Sequence, residues 1–128
     1  MRRKARMTLP RGTKIPNHIA FIPDGNRRWA RARGLDPVMG HKKGAEVLVE
    51  ILRAARDLGV HTTTFWGLST ENWRERSERE VSMLLKTISY RLDQHLKEAK
   101  KEGVRIVHLG RKNRLPAWLL RKIARLEK

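Results

Sequence analysis

Short apolar runs alternate with longer helical stretches along this chain, and that alternation constrains the fold more than any other feature. The runs "HIAFI" (18–22), "VHTTTFWGL" (60–68) and "VRIVHL" (104–109) have the β-branched and aromatic content of strands. Apolar residues at three- and four-residue steps between and after them predict amphipathic helices. Alternating strands and helices are typical of a parallel sheet with right-handed crossovers. We therefore predict an α/β fold in which helices flank a three-stranded parallel sheet.

Capping and stop signals give the expected bounds of the first helices. The turn at 24–26 offers N-cap chemistry for a short helix that runs through Trp29 to Arg33. A longer helical pattern starts at His41 and meets a stop signal at Gly59.

The same kinds of signal bound the later helices. Ser77 and Glu80 match a capping box, and the apolar stripe behind them ends at Gly103. Pro116 suits the first turn of a last helix. Three strands are few for a sheet covered by helices, so the sequence predicts a sheet that ends early, after its third strand and the following helix.

Length and composition indicate one soluble domain. We predict a basic flexible arm over residues 1–16 and one folded domain over residues 17–128. The chain has no cysteine, which excludes disulfides and Cys-ligated metals, and its five histidines lack metal-ligand spacing. No apolar run reaches the roughly 20 residues of a membrane span, and the basic start lacks the apolar segment of a signal peptide. We expect a cytoplasmic protein.

The net charge of +17 indicates an anionic partner, which could be phosphate groups, nucleic acid or an acidic lipid surface. Residues 1–35 carry ten Lys or Arg against Asp24 alone, and residues 111–128 carry seven against Glu127. Aromatic residues make up 5% of the chain and do not interleave with the basic ones. A nucleic-acid partner is therefore disfavoured.

Two polar segments follow the first two predicted strands, "PDGNRRW" (23–29) and "STENW" (69–73). Ligands collect at the carboxyl ends of parallel strands, so we expect the two segments to meet at one edge of the sheet. The N-terminus of a helix beside Arg27 and Arg28 would suit phosphate oxygens.

Each segment admits two interpretations from its residues alone. Asp24 would repel phosphate unless Mg²⁺ lay between them, so it is either a Mg²⁺ ligand or a helix cap. In "STENW", Ser69 or Thr70 is either a cap of a second helix or part of a polar site.

The motifs "HIAFIPDGNRRWA", "GHKKGA" and "LSTENW", in this order and spacing, resemble the N-terminal half of the cis-prenyltransferases. That family includes the undecaprenyl and decaprenyl diphosphate synthases, and the resemblance runs from about His18 to the last residue. It implies condensation of isopentenyl diphosphate onto an allylic diphosphate, with Mg²⁺ as cofactor, to give a polyprenyl diphosphate for a lipid carrier. It also implies a homodimer in the full-length form and allows peripheral contact with a membrane.

The resemblance implies roles for the matching residues. Asp24 would bind Mg²⁺ and the diphosphate, and Asn72 would position or accept the departing proton. The residues expected to bind substrate are Gly25, Asn26, Arg27, Arg28, Trp29, His41, Ser69, Thr70, Glu71 and Trp73. The apolar stripes that start at Ala45 and Val81 would wall a tunnel for the growing chain, although core packing is the simpler role for most of their residues.

The chain departs from the family pattern at three positions and in length. Pro37 and Glu75 stand where members often carry arginines, with Arg74 and Arg76 beside Glu75, and Pro23 replaces a common methionine. The second half of family members brings arginines for isopentenyl diphosphate, a metal-binding glutamate and most of the dimer interface. We therefore expect this stretch alone not to elongate prenyl chains. The alternative is a non-catalytic subunit that binds a prenyl diphosphate or a partner.

Overall fold

A computed structural model of the chain describes residues 8–128, except for the side chains of residues 95 and 96. Two strands, β1 (His18–Phe21) and β2 (Thr62–Phe65), pair in parallel, with His18 opposite Thr62 and Phe21 opposite Phe65. The two phenylalanine rings stack with their centroids 5.0 Å apart. Stacked aromatic pairs stabilise neighbouring strands. In the observed register the two strands end at the same level.

Five helices accompany the sheet over the described residues. They are α1 (Asn26–Arg31), α2 (Pro37–Asp57), α3 (Thr70–Glu75), α4 (Glu78–Lys101) and α5 (Ala117–Leu126). The predicted α/β fold, with a parallel sheet and flanking helices, is confirmed.

The third predicted strand, at 104–109, is wrong, because β1 and β2 alone form the sheet among residues 8–128. The Val104 amide donates to the carbonyl oxygen of Ala99 at 2.8 Å and so completes the last turn of α4. The His108 amide donates to the Glu127 carboxylate at 2.8 Å. Leu109 is 73% exposed. A strand needs a neighbouring backbone to pair with, and here these amides have other acceptors.

The stop signals are confirmed, whereas the predicted start of α2 is wrong. Gly59 and Gly103 follow their helices with φ values of 92° and 70°, the left-handed region that favours glycine. α2 begins at Pro37 rather than at His41, because the Asp36 carboxylate accepts a hydrogen bond from the Val38 amide at 2.9 Å. Proline at the first helical position suits that start, whereas the apolar periodicity appears only later.

The buried core lies between α4 and α5. Its residues are Val81, Leu85, Leu119 and Ile123, with Leu68, Trp73 and Leu115 packed against them. Val81 and Leu85, from the stripe that starts at Val81, therefore pack in this core. Trp73 ties the short helix α3 to this core.

The predicted arm, residues 1–16, is described only in part. Residues 1–7 lie outside the described residues, and residues 8–16 are exposed and form neither helix nor strand. The flexibility of the arm stays a prediction. Within the described part of the chain, no helix is both long enough and apolar enough to cross a membrane.

Candidate functional site

A cavity of about 440 Å³ lies at the end of the sheet where both strands finish. Phe21 and Phe65, the last residues of β1 and β2, form one side of it. α2 forms a wall with residues spaced three and four apart, which are Gly40, Lys43, Gly44, Val47, Leu48 and Ile51. The cavity therefore lies at the edge of the sheet where the strand order predicts a ligand.

Only part of the predicted site lines this cavity. The lining residues among the predicted ones are Asp24, Gly25, Asn26 and Trp29. The predicted residues outside the lining are Arg27, Arg28, His41, Ser69, Thr70, Glu71, Asn72 and Trp73. Gly40, Lys43 and Gly44 also line the cavity but were not predicted, although the helical spacing of the "GHKKGA" motif puts them on one face of α2.

The connection from β1 to α1 supplies the polar part of the cavity. Gly25 is the N-cap of α1 with a φ of 96°, a conformation that glycine adopts without steric cost. No side chain caps α1, whose residues all lie in the described part of the chain. The N-cap of α1 thus lies in the predicted turn 24–26, but it is Gly25, which caps without a side chain. The first-turn amides of α1 are left without a side-chain acceptor, so they are available to an anion.

Asp24 sits at the mouth of the cavity with an arginine beside it. Its side chain is 86% exposed, and its carboxylate accepts a hydrogen bond from Nη2 of Arg28 at 3.1 Å. The helix-cap interpretation of Asp24 does not hold, because the N-cap of α1 is Gly25 and the Asp24 carboxylate instead pairs with Arg28. Among residues 8–94 and 97–128, no group of three or more His, Cys, Asp or Glu could hold a metal ion. One carboxylate together with diphosphate oxygens is nevertheless a common set of Mg²⁺ ligands, so Asp24 fits the ion if a diphosphate is present.

A buried carboxylate, Glu80, lies behind the β1–α1 connection. Its Oε1 is 3.0 Å from Nε2 of His41, 3.4 Å from Nε of Arg27 and 3.7 Å from Nε of Arg76. Glu80 and His41 are both buried. A buried carboxylate needs such partners to offset the loss of hydration. This cluster ties α1, α2 and the start of α4 together.

The sequence did not reveal the Glu80 cluster, because the local pattern assigns Glu80 to a capping box. Ser77 does cap α4, since its Oγ accepts from the Glu80 amide at 3.1 Å. The Glu80 carboxylate, however, faces the cluster. Glu75 stands where family members often carry an arginine, and its side chain is exposed. The neighbouring Arg76 turns inward and contacts Glu80.

In "STENW", Ser69 caps a helix, which was one of the two interpretations. Its Oγ accepts from the Asn72 amide at 3.0 Å, and Oδ1 of Asn72 accepts from the Ser69 amide at 3.4 Å, which completes a capping box. Thr70 and Glu71 are exposed, and Trp73 is half-buried. Substrate contacts of these residues stay predictions.

Comparison with known proteins places the chain in a family. Residues 22–128 match the family model described as undecaprenyl diphosphate synthase. The isoprenyl transferase of Thermotoga maritima is 40% identical over 114 residues, which are 89% of this chain and 48% of that protein. Dehydrodolichyl diphosphate synthase 1 of Arabidopsis thaliana is 40% identical over 88% of this chain and 37% of its own length.

A solved structure agrees with these relatives. The lavandulyl diphosphate synthase of Lavandula x intermedia, in complex with dimethylallyl diphosphate, matches with a TM-score of 0.82 and 35% identity, over 88% of this chain and 48% of that one. The chain thus spans about half the length of these two enzymes from Thermotoga and Lavandula. On these matches, the chain belongs to the undecaprenyl diphosphate synthase family of prenyltransferases.

Proposed function

We propose that this chain forms the allylic diphosphate-binding part of a cis-prenyltransferase. The proposed reaction joins isopentenyl diphosphate to an allylic diphosphate and gives a polyprenyl diphosphate for a lipid carrier. The observation that carries the proposal is the cavity itself, with a carboxylate and amides at its mouth and an apolar wall along α2. A prenyl diphosphate has a charged end that matches the mouth of the cavity and an apolar end that matches its wall.

The charged end of the ligand would lie at the β1–α1 connection. The first-turn amides of α1 and the Asn26 side chain can donate hydrogen bonds there. Arg28 lies outside the lining, but its guanidinium contacts Asp24 at the mouth, where it can add a charge-assisted donor. Asp24 is the residue that would hold Mg²⁺, which when bound offsets the charge that develops on a diphosphate leaving group. Preorganised donors of this kind stabilise a leaving group without reorganisation during the reaction.

The apolar end of the ligand would lie against the aromatic pair of the sheet and the α2 wall. Phe21, Phe65, Val47 and Ile51 present hydrocarbon to the cavity. Val47 is 41% exposed, so it has apolar surface to bury against such a tail. Burial of an isoprenoid tail here is favourable by about 25 cal/mol per Å² of apolar surface.

Asn72 is proposed to position the proton-losing carbon of isopentenyl diphosphate rather than to act as a strong base, because an amide has little basicity. Condensation also requires that two diphosphates be held together. Since the chain spans about half the length of the Thermotoga relative, we assign the complete reaction, the homodimer and peripheral membrane contact to a protein of that full length. The chain alone is expected to bind the allylic substrate without elongating it.

Calorimetric titration of the chain with farnesyl diphosphate tests the binding proposal. We expect binding in Mg²⁺ and much weaker binding in EDTA, with farnesol as a control that lacks the charged end. Dimethylallyl diphosphate, the ligand of the Lavandula structure, extends the series to a short tail. Equal heats for farnesyl diphosphate and farnesol would contradict the proposal.

A chimera tests catalysis separately from binding. The chain is joined to the portion of the Thermotoga isoprenyl transferase that follows the matched 114 residues. We expect the chimera to convert farnesyl diphosphate and labelled isopentenyl diphosphate into a butanol-extractable product. A chimera that binds farnesyl diphosphate but makes no product would favour the non-catalytic subunit.

A further inference from the structure

Helix α1 rests on α2 at two glycines one helical turn apart. A Cβ atom at Gly40 would lie 2.0 Å from the carbonyl oxygen of Asn26, and a Cβ at Gly44 would lie 2.5 Å from Oδ1 and 2.6 Å from Nδ2 of Asn26. Both distances are far below van der Waals contact between heavy atoms. The approach of the α1 backbone therefore depends on the absence of a side chain at Gly40, whereas the absence of one at Gly44 leaves room for the Asn26 side chain.

The two glycines contact different parts of Asn26. Gly40 faces its backbone carbonyl and so sets where α1 begins, whereas Gly44 faces its side-chain amide. Gly40, Gly44 and Asn26 all line the cavity. The position of the Asn26 amide at the cavity wall is therefore linked to Gly44.

We propose that Gly44 is a positioning residue, which keeps the Asn26 side-chain amide at the cavity wall where it can donate to the allylic diphosphate. This inference rests on the proposed function. A β-carbon at position 44 would occupy the space of the amide and turn it away from the cavity. Glycine is a poor helix former compared with alanine, so helix stability alone would favour alanine at this position.

Substitution at Gly44 separates positioning from packing, because the clashing atoms belong to a side chain that can rotate. We expect Gly44→Ala to keep or raise the melting temperature, since the helix gains propensity and Asn26 moves aside. The same variant should bind farnesyl diphosphate in Mg²⁺ at least fivefold more weakly than the wild type. Gly67→Ala is the matched control, because a Cβ there meets nothing within 4 Å and its φ is not positive.

A double-mutant cycle tests whether Gly44 acts through Asn26. Affinities of the full chain for farnesyl diphosphate are measured in the wild type, Gly44→Ala, Asn26→Ala and the double variant. If Gly44 only positions Asn26, the double variant should bind no more weakly than Asn26→Ala. Wild-type affinity in Gly44→Ala, or losses that multiply in the double variant, would overturn the inference.

The Asn26 side chain can also be observed without any ligand. We expect the ¹H–¹⁵N resonances of its NH₂ group to shift in Gly44→Ala and to stay in place in Gly67→Ala. Unchanged Asn26 resonances in Gly44→Ala would overturn the positioning role. Failure of the wild type to bind farnesyl diphosphate would instead contradict the proposed function, so the two failures are distinguishable.

Discussion

Nε2 of His41 lies 3.0 Å from Oε1 of Glu80, and both side chains are buried. Because the carboxylate accepts, Nε2 carries the proton in this hydrogen bond. The same oxygen also faces Arg27 and Arg76, at 3.4 Å and 3.7 Å. One carboxylate thus links α1 and the start of α2 to α4.

Glu80→Gln should destabilise the protein, because it leaves the two arginines without their carboxylate while preserving the side-chain shape. Arg27 is about half exposed, so water recovers part of the loss. We expect a decrease of about 2 kcal/mol in the free energy of unfolding, within the range for hydrogen bonds to charged groups. Urea denaturation measures it. Glu75→Gln, at an exposed position, is the control and should change the free energy by less than about 0.5 kcal/mol.

Asp24→Asn should remove the Mg²⁺ dependence of farnesyl diphosphate binding and leave stability almost unchanged. The carboxylate does not cap α1, and its pair with Arg28 is exposed. Exposed ion pairs contribute about 0–1 kcal/mol. Calorimetry with Mg²⁺ and with EDTA, beside a thermal melt, checks both parts. Asp24 would not be the metal ligand if Mg²⁺ raised the affinity of Asp24→Asn for farnesyl diphosphate over that in EDTA by the same factor as in the wild type.

Asp36 gives the stability a dependence on acid pH. The Val38 amide, and next the Arg79 guanidinium at 3.1 Å, hold the pKa of the Asp36 carboxyl below its ordinary value. A lowered pKa in the folded state stabilises the protein above the ordinary pKa, and this contribution is lost as the pH falls through the folded value. The melting temperature should therefore fall as the pH decreases below about 4.

Two substitutions at Asp36 separate the cap from the charge. Asparagine is as good an N-cap as aspartate. Asp36→Asn should therefore melt at close to the wild-type temperature at pH 7, and its melting temperature should fall less at acid pH. Asp36→Ala should melt at a lower temperature at pH 7, because the Val38 amide loses its acceptor. An unchanged acid dependence in Asp36→Asn would show that other carboxylates cause it.

Gly40→Ala should destabilise the protein, in contrast to Gly44→Ala. The new β-carbon meets the backbone carbonyl of Asn26, which cannot rotate away, so α1 must shift. Inserting a methyl group into close packing costs about 1–3 kcal/mol, and the gain in helix propensity offsets about 1 kcal/mol of it. A lower urea midpoint than in Gly67→Ala is expected. A midpoint equal to that of Gly44→Ala would show that the α1–α2 contact tolerates the displacement.

Elements that depend on local chemistry could be predicted from the sequence. β1 and β2, together with the stops at Gly59 and Gly103, follow from β-branched content and from residues that favour positive φ. The strand at 104–109 could not be judged in this way, because a strand exists only where another backbone pairs with it. In this structure the Val104 and His108 amides find other acceptors.

In the candidate site, too, local features could be predicted, whereas contacts between distant segments could not. The position of the β1–α1 connection follows from the strand order, and Asp24, Gly25 and Asn26 do line the cavity. The surroundings of Glu80 could not be predicted, because they depend on how α1, α2 and α4 come together, and the local S-x-x-E pattern already explained the residue as a cap.

Asn72 takes part in the capping box of α3 and also has a predicted catalytic role. Two substitutions separate these two roles. Its Oδ1 accepts from the Ser69 amide. Aspartate keeps such an acceptor and suits the first turn of a helix, but it lacks the NH₂ donor. Asn72→Ala loses both. If the amide positions the substrate, both variants of the Thermotoga chimera should turn over at least tenfold more slowly, while Asn72→Asp keeps the wild-type melting temperature. Wild-type turnover in Asn72→Asp would contradict the positioning role. The oxygen acceptor that aspartate shares with asparagine would then suffice, and helix capping alone would account for Asn72.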